Sequence, residues 1–394
     1  MFSSLPLWER DQKWAEIDLD ALAENVKRIR SRIPEKTRLM AVVKADAYGH
    51  GDGWIGRELE QLGVTDFGVS NLDEARSLRA AGVKGEILIF GTTPVEQLSL
   101  LCDDRITQTV YSTEYAEALS DAAQKIGRTP VCHLKVDTGM GRIGISADAI
   151  DEMEHICRLP GLRVEGIFSH FSSSDDVTEE GIAYTERQHA LFDGAVEALK
   201  ARGINFKVRH LQNSGGILNY PEYEYEMVRA GIILYGLPLE TLPGKELELE
   251  PMMAIRSVIS MVKRVHPGDA ISYSRKFIAE REMTVATVPI GYADGYLRAF
   301  SGKLCVLVHG VPAPIVGSIC MDQMMIDVSA IDNVAAGDIA TVVGRDGERM
   351  ITFCDLARVT DSIHYEILCL VGKRVPRIYL KNGKMVGRTD LLHR

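Results

Sequence analysis

LMAVVKADAYGHG (39–51) is the stretch on which the fold turns. Its apolar residues run unbroken into Lys44, without the alternation of a half-exposed strand, as suits a parallel strand covered on both faces. Ala47, Tyr48 and a glycine-rich turn follow, then a helix near 53–62. The same strand-then-helix unit recurs along the chain. FGVS (67–70) precedes a helix from about Asp73 to Ala81, EILIFG (86–91) a short helix near Thr93 and Pro94, and ITQTVY (106–111) a helix announced by Ser112, Thr113 and Glu114. VCHLKVD (131–137) leads through the loop GMGRIG to a helix over 147–158. VEGIFSHF (164–171) leads to a long amphipathic helix over 178–202, FKVRHLQ (206–212) to a short helix beginning near Ser214, and EMVRAGI (226–232) to a turn. Eight such units imply right-handed crossovers and a parallel sheet, and at this length they fit a (β/α)8 barrel better than an open sheet.

The pattern changes after residue 240. LPGKELELE reads as a linker. Beyond it come short alternating runs such as MTVATVPIGY and KLCVLVHG, separated by the turn signals HPGD, SGK, AAGD and GRDG. The expected organisation is an α/β barrel over 13–240 and a smaller, mostly β C-terminal domain over 241–394. Residues 1–12 are expected to pair with the latter.

Bulk properties narrow the function classes. A formal net charge of -10 over 394 residues argues against nucleic acid or an anionic membrane as the main partner. The N-terminal MFSSLPLWERDQKW holds no apolar stretch of signal-peptide length and no run approaches a membrane span, which points to the cytoplasm. Seven scattered cysteines, none spaced as CxxC, read as reduced core thiols rather than a metal site, so no metal is expected.

In a barrel of this kind chemistry belongs at the C-terminal ends of the strands. Lys44, Lys135, Arg142, His170, His210, Ser214 and Arg229 all fall there, on units one, five, six, seven and eight, and together would line a cationic pocket for a small anion. Each also has a plainer reading. Lys44 closes an apolar strand, where desolvation would free its amine for covalent work on a carbonyl, or from which it could snorkel to solvent. Ser214 and the glycines of HLQNSGGIL (210–218) could bind a phosphate through backbone N–H groups, joined by Gly231 and Ile232, or could simply cap and pack a helix. Arg229 could face a ring nitrogen or sit in a salt bridge, and both histidines could be structural.

Several segments together resemble one family. AVVKADAYGHG (41–51), LKVDTGMGRIG (134–144), EGIFSHF (165–171), HLQNSGG (210–216), VRAGIILYG (228–236), VPIGYADGY (288–296), GSICMDQMMID (317–327) and KRVPRIY (373–379) occur in the order found in alanine racemases, and they span almost the whole chain. The resemblance implies a pyridoxal-phosphate (PLP) enzyme with a barrel and a C-terminal β domain, interconverting L- and D-alanine and supplying D-alanine for peptidoglycan. It implies that Lys44 carries PLP, that Tyr48, Ser214, Gly231, Ile232 and Tyr365 hold the phosphate, and that Arg229 faces the pyridine nitrogen. Arg142 would meet the substrate carboxylate, and Lys135 resembles a lysine that is carbamylated in some members and orients that arginine.

Tyr273 of AISYSRKF matches the family's second base and would come from the other subunit of a homodimer, with Met321 and Asp322. His170 would link it to Arg229, while His210, Asn213 and Tyr292 would support or line the site. Two groups are wanted because racemisation removes the α-proton from one face and returns one to the other. Lys44 would serve the D-isomer and Tyr273 the L-isomer. A free tyrosine, with a pKa of about 10, needs help as a base. In DSIHYEILC (361–369), His364 stands where many members have Asn. Competing readings are a serine or broad-specificity racemase on the same scaffold, a non-catalytic PLP-binding protein, and a fold-related decarboxylase.

Overall fold

The computed structural model describes residues 11–391. Eight parallel strands make the first sheet: Arg38–Val42, Asp66–Val69, Glu86–Ile89, Ile106–Val110, Val131–Asp137, Arg163–Phe168, Val208–His210 and Met227–Ala230. They follow one another in chain order, and the last pairs back onto the first, with Met227 opposite Arg38 and Ala230 opposite Ala41. Between the seventh and eighth, the Arg229 N–H donates to the Gln212 carbonyl at 3.0 Å. The result is the nearly closed (β/α)8 barrel that the eight repeats imply. Side chains of its strands and helices pack a continuous core that includes Leu134, Val136, Ile167, Phe171 and Phe192.

Polar residues start the helices where the sequence places them. Ser112 accepts from the Tyr115 N–H, opening Thr113–Ile126, and Thr178 accepts from the Gly181 N–H, opening Glu179–Ala201. One start differs from expectation. The helix expected over 147–158 is Ile150–Cys157, because Ile145–Ser146 first pairs as a short strand beside Val136 and Asp137. The short helix Ser214–Asn219 begins where expected and is capped by Asn213, whose side chain accepts from the Gly216 N–H.

The largest local difference follows the first strand. The strand ends at Val42, and Lys44 opens a helical turn, Lys44–Gly49, instead of closing the strand. Ala45, Asp46, Ala47 and Tyr48 have φ of 53°, 57°, 52° and 52°. Four consecutive non-glycine residues in the left-handed region cost about 1–2 kcal/mol each. Local bonds offset part of that: Glu74 accepts from the Ala45 N–H at 2.8 Å, and Asp46 from the Asp52 N–H at 3.0 Å.

The chain divides into two compact units. Leu22–Ala47 and Asp52–Glu250 form the barrel unit. Within it, buried Asn25 ties down the segment beyond the last strand, donating to the Leu234 and Glu250 carbonyls and accepting from the Glu250 N–H. The other unit holds the described residues up to Ala21, with Tyr48–Gly51 and those from Pro251 on. It is mostly β, built on an 11-stranded sheet, with the short helices Phe353–Arg358 and His364–Cys369.

Strand Lys13–Asp18 belongs to that sheet, antiparallel to Met253–Val258 and parallel to Arg377–Lys381. The sequence reading starts the barrel at residue 13. Instead, Trp14 of this strand is fully buried among Val258 and Ile378 of the β unit. Of segment 1–12, expected to pair with the β domain, residues 1–10 lie outside the described residues; the Gln12 carbonyl accepts from the Val258 N–H at 2.9 Å. Among the described residues no helix is long and apolar enough to cross a membrane.

Candidate active site

Arg229, on the eighth barrel strand and only 2% exposed, anchors the polar core at the barrel mouth. Its guanidinium donates to the carbonyls of Ser169, His210 and Leu211, at 2.7, 2.9 and 2.9 Å. It also donates to His210 Nδ1 at 2.8 Å and lies 3.3 Å from His170 Nδ1. Burial pushes its pKa down to about 9, which leaves it charged at neutral pH. His170 and His210 are held well below the ordinary histidine range, first by desolvation and then by the Arg229 cation, so both rings are neutral.

Lys135 lies on the fifth strand, buried, with its ammonium donating to the Val136 carbonyl at 2.6 Å. Desolvation first, and the Arg229 charge second, pull its pKa down to about 7. Both effects favour the neutral, nucleophilic form of the amine. Phe168 supplies a common floor: its ring lies flat on His210 at 4.7 Å, with Lys135 Nζ 5.6 Å and Arg229 Cζ 5.5 Å from its centroid. Arg142 is exposed on its loop, and Lys44 is half-buried at the mouth. Both bear on the same centre, since the charges of Arg229, Lys135, Arg142 and Lys44 all depress His170.

The groups expected to meet a phosphate fall in two sets. In the barrel unit, Ser214 Oγ accepts from the Gly231 N–H at 2.9 Å, so two of them meet each other, with Ile232 next in the chain and Asn213 capping the same helix. In the β unit, the Tyr48 and Tyr365 rings lie 6.3 Å apart. The stretch holding Tyr48 is pinned there, as Arg377 donates to the Gly49 carbonyl and the Tyr379 hydroxyl to that of His50. His364 packs beside Tyr365, ring centroids 4.8 Å apart.

The β unit also gathers the residues expected to serve a neighbouring chain. Gly291 lets two loops touch: a Cβ there would lie 2.3 Å from the Cys320 carbonyl and 2.5 Å from that of Met321. The Tyr292 and Ala293 N–H groups donate to those carbonyls. Buried Asp294 takes Lys13 at 2.8 Å and Arg374 at 2.6 Å, and Arg374 reaches on to Asp322. Ser272, beside Tyr273, donates to the Ser318 carbonyl at 2.6 Å. Tyr273, Met321 and Tyr292 are left 67%, 52% and 41% exposed.

Two members of the core escape the sequence reading. His133 accepts or donates at 2.9 Å to His210, and Phe168 floors the cluster. The signal for His133 was present, because residues two apart on a strand share a face and His133 precedes Lys135 by two.

A parallel barrel with a lysine, a buried arginine and histidines at its mouth, followed by a β domain, has the arrangement of a barrel enzyme, whose chemistry sits at the C-terminal ends of the strands. Comparison with known proteins sharpens this. Residues 17–238 match the alanine racemase N-terminal domain and residues 252–379 the alanine racemase C-terminal domain. Alanine racemase 1 of Clostridium acetobutylicum is 41% identical over 376 residues, 95% of this chain and 96% of that one. The structure of the Clostridium difficile 630 alanine racemase superposes with a TM-score of 0.91 at 36% identity, covering 96% of this chain and 98% of that one. That of the Bartonella henselae alanine racemase, with covalently bound pyridoxal phosphate, gives 0.83 at 27% identity, covering 94% and 100%. The chain belongs to the alanine racemase family, isomerases that depend on pyridoxal phosphate.

Proposed function

We propose that this chain interconverts L- and D-alanine with PLP held on Lys44, in a homodimer whose sites each combine Lys44 of one chain with Tyr273 of the other. The observation that carries the reading is the convergence of Lys44, Lys135, Arg142 and Arg229 on His170. The lasting positive charge of Arg142 and Arg229 at that point suits an anionic occupant, and the primary amine of Lys44 beside them suits an aldehyde cofactor. When bound, PLP draws electrons from the α-carbon of the amino acid and so makes its α-proton acidic.

The chain's own groups do the rest. Lys44 Nζ takes or returns the proton on one face, and Tyr273 Oη on the other. Arg229 offers an N–H to the pyridine nitrogen without giving up a proton, which keeps the cofactor a mild electron sink and discourages transamination. His170 Nδ1 lies 3.3 Å from Arg229 Nη2, a neighbour that only donates; with the hydrogen of this neutral ring on Nε2, His170 would donate to the Tyr273 oxygen and favour the phenolate. Ser214 and Ile232, with Gly231, take the phosphate, and Tyr48 and Tyr365 are proposed for the same role. Lys135, with its pKa near 7, carries a carbamate that orients Arg142 toward the substrate carboxylate. The exposure of Tyr273, Met321 and Tyr292 suits a surface that a second copy covers. D-alanine for peptidoglycan is the product's use.

Lys44→Ala tests the centre of this reading. It should abolish racemisation of alanine and the visible absorbance of the bound cofactor; retention of both would overturn it. A high-resolution density map that shows a bare amine at Lys135 would remove the carbamate.

A further inference from the structure

The two-base reading uses Arg229 and His170 and leaves two buried imidazoles of the barrel core, His133 and His210, without a task. We propose that His133 is a positioning residue for racemisation: its Nδ1 accepts the Nε2–H of His210 and so holds the ring in the orientation in which His210 Nδ1 receives Arg229. The proposal rests on the reading of Arg229 as the group that faces the cofactor's ring nitrogen.

The direction of the chain follows from the guanidinium, which has donors and no acceptor. Arg229 Nη1 lies 2.8 Å from His210 Nδ1, so that nitrogen accepts and carries no hydrogen. His210 is buried and neutral, and its hydrogen therefore sits on Nε2. Nε2 lies 2.9 Å from His133 Nδ1, which must accept in turn. His133, pushed down to about 3 by burial, is neutral too and keeps its own hydrogen on Nε2. The other tautomer of His210 would set N–H against N–H on the arginine side. The acceptor on the far side takes the hydrogen that this leaves on Nε2 and anchors the ring.

The surroundings are built for this line. Phe168 lies within 3° of parallel to His210 at 4.7 Å, which fixes the plane of the ring. Gly166, opposite His133 on the sixth strand, makes room: a Cβ there would lie 2.6 Å from His133 Cδ2 and Nε2. The consequence is one of aim. Arg229 Nη2 contacts His170 at 3.3 Å, the longest of its contacts, so a guanidinium freed on its His210 side loses that one first.

The test uses the holoenzyme with 15N-labelled histidine. In the wild type, His210 should give an unprotonated Nδ1 and a protonated Nε2, its signals identified by their loss in His210→Asn. His133→Leu removes the acceptor, whereas His133→Asn places Oδ1 near the position of Nδ1. In His133→Leu, kcat for alanine should fall about tenfold with KM little changed, and the His210 Nε2 signal should shift as its hydrogen loses its acceptor. His133→Asn should restore both. A wild-type His210 protonated on Nδ1 would overturn the proposal, as would a folded His133→Leu dimer with wild-type kcat. If His133→Leu does not fold, the wild-type tautomer and the His133→Asn kcat decide. A wild-type chain without alanine racemisation would instead defeat the functional reading, whatever the tautomer of His210.

Discussion

At the scale of single residues, the barrel mouth trades stability for a dry cluster of fixed donors. Arg229 donates to three carbonyls, of which that of His210 also accepts from the Ser169 N–H at 3.3 Å. Beside it, His133, His170 and His210 are all kept below the ordinary histidine range by desolvation. That sets a pH dependence. Below pH 6.5 the unfolded chain protonates these rings and the folded barrel does not, so the unfolded state binds more protons and stability falls with falling pH. The slope is up to about 1.4 kcal/mol per pH unit for each ring that stays neutral. The melting temperature should drop between pH 6.5 and 5, and less steeply in His133→Asn than in the wild type. A flat profile across that range would contradict the neutral cluster.

Among the elements, the turn after the first strand departs furthest from local preference. Its left-handed residues, Ala45 to Tyr48, directly follow Lys44, so the strain is stored where the proposed cofactor lysine leaves the barrel. Glycine relieves such a conformation, although it is usually harmful inside a helix or strand. Ala45→Gly is therefore expected to leave stability unchanged or raise it by up to about 1 kcal/mol, whereas Ala41→Gly in the strand just before should lower it by at least about 1 kcal/mol. Denaturant titration of the two variants checks this. Equal losses would mean that the turn is unstrained.

For the whole molecule, the proposal that Tyr273 serves the neighbouring chain has a direct consequence. Lys44→Ala and Tyr273→Phe chains should each be nearly inactive alone. When they are unfolded together and refolded, half of the dimers pair one of each, and one of the two sites in such a dimer keeps both native bases. About a quarter of the wild-type activity should return. No recovery in a mixture that does form mixed dimers would place Tyr273 and Lys44 in the same chain's site or remove Tyr273 from catalysis. The exposed Tyr273, Met321 and Tyr292, carried by loops that Gly291, Asp294 and Ser272 tie together, are the surface on which that outcome depends.

The amino-acid sequence by itself pointed to the barrel, because eight apolar runs separated by helical periods imply a parallel sheet with right-handed crossovers, which at this length fits a closed barrel better than an open sheet. It also marked the β segments after residue 240 and brought Lys44, Lys135, His170, His210 and Arg229 to the C-terminal part of a recognisable strand or just beyond it. Only the tertiary structure decided three further things. Lys13–Asp18 joined the β sheet, because Trp14 finds its burial among Val258 and Ile378, more than 240 residues away in the chain. Ala45 to Tyr48 turned left-handed, against their intrinsic preference, with Glu74 and Asp46 holding the turn. His133 was joined to His210 and Arg229, on three different strands, with a dry setting that fixes which nitrogen carries each hydrogen. The division has one physical cause. Periodicity and turn chemistry act over neighbours in sequence and can be read there, whereas burial, desolvation and hydrogen-bond direction depend on groups that only folding brings together.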